Sequence, residues 1–141
     1  MATKADFSET EWQTLEWAVT DTMTYLSMAD PGFWDMFKEA SGAAHYIAGA
    51  KTSSESALVR DLAGAIKTKR DKTVTGNPAD VSGEVIARVT EAVKIVSGKA
   101  PEDVDALKIF IIGVAKATAE AAKGTGPTEA AAIEKLEAAL G

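Results

Sequence analysis

Ser27-Met-Ala-Asp-Pro-Gly-Phe-Trp-Asp-Met-Phe-Lys-Glu39 cuts a long amphipathic pattern in two and brings three carboxylates, Asp30, Asp35 and Glu39, into a short span. The residue before a proline avoids the α region, so a helix arriving from the N-terminal side must stop before Pro31. A second helix then begins near Phe33. The alternative is one uninterrupted rod from Ser8 through Ile47. Reading a corner here predicts that the first two helices fold back on one another, with the acids at the bend and the aromatic rings shared between them.

Upstream of the corner, Phe7-Ser-Glu-Thr-Glu-Trp12 has the form of a capping box, Ser8 as N-cap and Glu11 three positions on, with Phe7 and Trp12 placed to staple it. Trp12, Leu15, Val19, Met23 and Leu26 then recur at helical period, with Trp17 and Tyr25 widening the face. Downstream, Phe33, Met36, Phe37, Ala40, Ala44 and Ile47 share one side of a second helix, and Gly49 suits its C-terminal end. Thr52-Ser53-Ser54 offers N-caps for a third helix carrying Leu58, Val59, Leu62, Ala65 and Ile66.

Residues 71–77 read as an internal linker. Asn77-Pro78 opens a fourth helix, with Val81, Val85, Val89, Val93 and Val96 in register and Gly98 at its end. Pro101-Glu102-Asp103 opens a fifth, striped by Val104, Leu107, Ile111, Val114 and Thr118. Lys123-Gly-Thr-Gly126 is a second corner, and Pro127 opens a sixth helix that buries Ile133, Leu136 and Leu140. No alternating run with hairpin punctuation occurs. The expectation is an all-α, single-domain irregular bundle of about six helices over residues 1–141, with 1–7 as an N-terminal tail.

Composition narrows the chemistry. The chain has 141 residues, 46% hydrophobic, enough to bury a core without staples. It has no cysteine, which removes disulfides, thiolate metal sites and cysteine catalysis, and its single histidine, His45, rules out a multi-histidine metal site within one chain. A net charge of −6 argues against general nucleic-acid binding. No apolar run is long enough for a membrane span, and the N-terminus lacks the form of a leader peptide, so a cytoplasmic location is the default expectation. The charge is uneven: eight acids face Lys4 and Lys38 in residues 1–50, while residues 51–72 hold six bases and three acids. Those two segments could attract each other or an anionic partner.

The two corners echo one another. Ala29-Asp30-Pro31-Gly32 is followed by Glu39, and Ala122-Lys123-Gly124 by Glu129. This arrangement, two related helical hairpins with an Ala-Asp-Gly turn and a downstream Glu, resembles the tellurite-resistance TerB-like superfamily. The opening Phe7-Ser8-x-x-Glu11-Trp12 also looks like the start of bacterial proteins of this kind. The resemblance covers both ends of the chain and leaves residues 50–100 unaccounted for. It implies an all-helical fold and, for some members, divalent-cation binding by the acidic corners and association with stress-response complexes. Pro31, the bulky Phe33 and Trp34, and Lys123 in place of a second Asp depart from the pattern and weaken the metal site before they weaken the fold.

Asp30, Asp35 and Glu39 are therefore the candidate metal ligands, for a hard cation such as Ca²⁺ or Mg²⁺, with Asp35 and Glu39 one helical turn apart. The plainer reading makes Asp30 a cap and Asp35 a complement to the helix dipole. Trp17 and Trp34 fall beside their helices' main stripes and are the candidate partner surface, for a foreign protein or a second copy. An aromatic pocket for a small molecule or an enzymatic role is the further alternative, but no nucleophile or acid–base pair assembles from the sequence, and no catalytic residue is assigned.

Overall fold

The computed structural model describes residues 3–29, 36–66, 78–121 and 127–140. It is all-α, and no strand occurs among these residues. Six α-helices follow in order: α1 (Glu9–Ala29), α2 (Met36–Ser53), α3 (Ala57–Ala65), α4 (Pro78–Lys99), α5 (Val104–Ala121) and α6 (Pro127–Leu140). Short 3-10 turns at Lys4–Asp6 and Pro101–Asp103 precede α1 and α5.

The start of α1 forms as its sequence dictates. The Ser8 amide donates to Glu11 Oε1 at 2.9 Å, and the Glu11 amide donates to Ser8 Oγ at 3.1 Å, a reciprocal capping box. Phe7 and Trp12 close over it with ring centroids 6.0 Å apart. The segment set apart as a tail is pinned over its last residues. The Lys4 amide donates to Asp61 Oδ2 at 3.1 Å, the Lys99 ammonium donates to the Asp6 carbonyl at 3.3 Å, and Phe7 is buried.

Two boundaries differ from expectation. α2 does not stop at Gly49 but runs to Ser53, and the Thr52 and Ser53 hydroxyls donate back to the Gly49 carbonyl. A lone glycine costs a helix only about 1 kcal/mol, too little to end one whose flanks are packed. The cap of α3 is consequently Ser56 rather than Thr52, Ser53 or Ser54, and its Oγ accepts the Val59 amide at 3.3 Å.

The packing order also differs. Instead of folding α1 and α2 onto a shared seam, the structure lays α1 against α4 and α5, and α2 against α5 and α3; α1 and α2 meet only briefly. α5 touches every other helix and is the axle of the bundle. Leu107, Phe110, Ile111, Val114 and Ala115 of α5 are buried with Leu15, Val19 and Leu26 of α1, Val85, Val89 and Val96 of α4, and Leu136 of α6. Each large aliphatic side chain so enclosed contributes about 1.5–3 kcal/mol of transfer free energy. The ion pairs tie α1 to α4 and α5 to α6. Glu11 and Asp21 meet Lys99 and Arg88 of α4, and Lys67–Lys72, which hold four of the six bases of residues 51–72, lie outside the described residues. The linker 71–77 and both echoing corners also lie outside them.

Candidate interaction face and buried polar groups

Ile109-Phe110-Ile111-Ile112 is a run of four apolar residues inside α5. Successive helical positions are a hundred degrees apart, so such a run cannot face one side. Phe110 and Ile111 go into the core, Ile112 is partly buried against its edge, and Ile109 points outward. Ile109 is 69% exposed, the single large hydrophobic side chain left in that state among the described residues.

Two open grooves meet at Ile109. The first, about 550 Å³, runs between α2, α3 and α5, with Tyr46, Ala50, Val59, Ala106 and Phe110 as its apolar lining and His45, Glu55 and Ser56 among its polar residues. The second, about 620 Å³, lies between α5 and α6, with Ile112, Gly113 and Leu140 between Lys108, Lys116 and Glu137. Tyr46 and Ile109 belong to both. Tyr46 reaches from α2 across α5, its ring 6.1 Å from that of Phe110 and nearly parallel to it. It can lie there because residue 113 is glycine: a Cβ at that position would collide with the hydroxyl end of Tyr46. Burial pushes the phenol pKa of Tyr46 above its ordinary value.

On the α1–α4 side, Asp21 is 2% exposed and accepts a 2.7 Å hydrogen bond from Arg88 Nη1. The same guanidinium lies 4.7 Å over the Trp17 ring. Trp17, named above as partner surface, is thus half-buried beneath an arginine. Buried hydroxyls near this seam satisfy themselves locally, Thr22 donating to the Ala18 carbonyl and Thr118 to the Val114 carbonyl.

A second buried polar pair joins two helix starts. Ser56, the α3 cap, donates from Oγ to Asp103 Oδ1 at 2.9 Å, and Asp103 is 5% exposed. Asp103 Oδ2 and Trp12 Nε1 are buried without a hydrogen-bond partner among the described residues.

Of the residues singled out from sequence, Asp30, Asp35 and Trp34 lie outside the described residues, and Glu39 is placed only by its position on α2. Among the described residues no group of three or more acidic or histidine side chains is arranged to hold a metal ion. His45 is exposed at the mouth of the first groove. Sequence reasoning missed the Ile109 face, although the four-residue apolar run was its signal. It also missed the Tyr46–Gly113 contact, for which a glycine within a strongly apolar helix was the only hint. Among the described residues, no helix is long and apolar enough to cross a membrane. No protein-family model, curated relative or solved structure matches the chain.

Proposed function

We propose that this protein is a non-enzymatic helical interaction module, of the kind its TerB-like corners suggest, and that it docks a partner on the face formed by α2, α5 and α6. The observation that carries this reading is Ile109, held 69% exposed where two apolar grooves meet. Exposing a large aliphatic side chain forgoes about 1.5–3 kcal/mol of burial, and an apolar patch rimmed by charges is the usual form of a protein contact site. The grooves are open rather than enclosed, which suits a macromolecular surface better than a small ligand.

A photo-crosslinking residue at Lys108, on the rim, tests this in cells. The expected result is a discrete adduct that disappears when Ile109→Glu is added and that a crosslinker at Glu91, on the exposed side of α4, does not form. Equal labelling from both positions, or none from Lys108, would remove the reading.

A further inference from the structure

The occupant of this face can be narrowed further, on the reading that the face is a docking surface. The outward stripe of α5, with the turn before it, runs Glu102, Asp105, Ile109, Ile112 and Gly113, Lys116. From Asp105 onward these positions recur every three or four residues and share one side of α5, and Glu102 precedes them in the 3-10 turn Pro101–Asp103. Glu102, Asp105, Ile109 and Lys116 are all exposed. The stripe is acidic at its N-terminal end, apolar in the middle and basic at its C-terminal end.

Such a stripe is complementary to itself when turned around. A two-fold axis through Ile109 places Ile109 against its own copy, because an isologous contact repeats the same residue across the axis. Lys116 lies as far beyond Ile109 as Glu102 lies before it. The same axis therefore sets each Lys116 against the other copy's Glu102, and Gly113 against Asp105. Tyr46 of the same chain covers Gly113, so the Tyr46 side chain borders the contact at that position. Among the described residues Lys116 makes a loose contact with Glu137, at 4.0 Å with both side chains half-exposed, which a closer partner can replace.

Net charge points the same way. Two chains of −6 repel at long range, and they can approach only where the local charge is balanced. The described Asp, Glu, Lys and Arg residues lining the two grooves are Glu55 and Glu137 against Lys108 and Lys116, two of each sign. A strongly acidic or strongly basic foreign helix would find no net field at this face. We infer that the face takes a second copy of this chain, α5 packing antiparallel on α5 about a two-fold axis at Ile109.

Sedimentation velocity of the full chain across micromolar to millimolar concentration reads the association directly. The expected result is a monomer–dimer equilibrium that Ile109→Glu abolishes while its thermal unfolding stays that of the parent. Lys116→Glu and Glu102→Lys should each raise the dimer dissociation constant by about tenfold, since each opposes like charges twice across the axis. The double variant Glu102→Lys with Lys116→Glu should restore it. A double variant as weak as either single one would overturn the antiparallel register. A protein monomeric throughout would overturn self-association altogether. In that case, an adduct from Lys108 of a mass other than twice the chain leaves the face as a docking site for a foreign protein, and no adduct removes both readings.

Discussion

Gly113 shows how one missing atom organises a contact between helices. Tyr46 occupies the volume a Cβ would need, and its stacking on Phe110 depends on that space. Gly113→Ala should destabilise the fold by about 1–3 kcal/mol, the usual cost of overpacking, even though alanine is the better helix former. Urea unfolding will measure it. On a Tyr46→Ala background the same substitution should cost much less, and a double-mutant cycle reports the difference as coupling. Arg88 gives a second case. Arg88→Leu leaves the Asp21 carboxylate buried without its guanidinium and uncovers the Trp17 ring. The expected loss is about 3 kcal/mol, the lower end for breaking a buried pair, read from the same unfolding curves. Neither contact was legible in the linear chain. Gly113 and Tyr46, like Asp21 and Arg88, are 67 residues apart, and local pattern carries no information at that range.

At the scale of the element, the start of α1 is the most legible part of the molecule. Its capping box and staple involve residues within five positions of one another, so short-range chemistry alone selects the geometry. Ser8→Ala should cost about 1 kcal/mol, seen as a lower urea midpoint with an unchanged slope. Tertiary structure adds one feature. Lys99 Nζ lies 2.5 Å from Glu11 Oε1, and this hydrogen bond, with the one from the Ser8 amide, holds the Glu11 carboxyl below its ordinary value of 4.5. A carboxyl whose pKa is lowered by folding stabilises the native state above its unfolded-state pKa and loses that contribution as pH falls through the folded value. Lys99→Met should therefore be less stable than the parent at neutral pH, with the gap narrowing as pH drops below 4.5. Denaturant midpoints at a series of pH values will show it. The end of α2 was less legible. Gly49 offered a stop signal, but neighbouring helices hold the chain helical beyond it to Ser53.

For the whole molecule, α5 is the element on which the others lean. Its inner side chains are fully enclosed, whereas Ile109 faces outward. Ile111→Ala should cost about 2–5 kcal/mol through lost transfer and a residual cavity, while Ile109→Ala should stay within about 0.5 kcal/mol. Thermal unfolding of the two variants separates them. Amide exchange should likewise be slowest along α5, since opening it breaks contacts with every other helix. A result in which α1 and α2 form the most protected unit would contradict this arrangement.

Helix identity, the starts of α1, α4 and α6 and most of the inward stripes were set by the chain alone, because caps, prolines and a three-to-four-residue apolar period act within a turn or two of backbone. Which stripe met which was decided only in three dimensions. α1 and α2 are neighbours in sequence and share an aromatic-rich composition, yet α1 lies on α4 and α5, and α2 on α5 and α3. The reason is volumetric. A glycine on α5 accepts a tyrosine from α2, and a continuous valine face on α4 accepts the stripe of α1. Such complementarity exists only between surfaces already folded, and so does the outward face of α5, which is defined by what the other five helices leave uncovered.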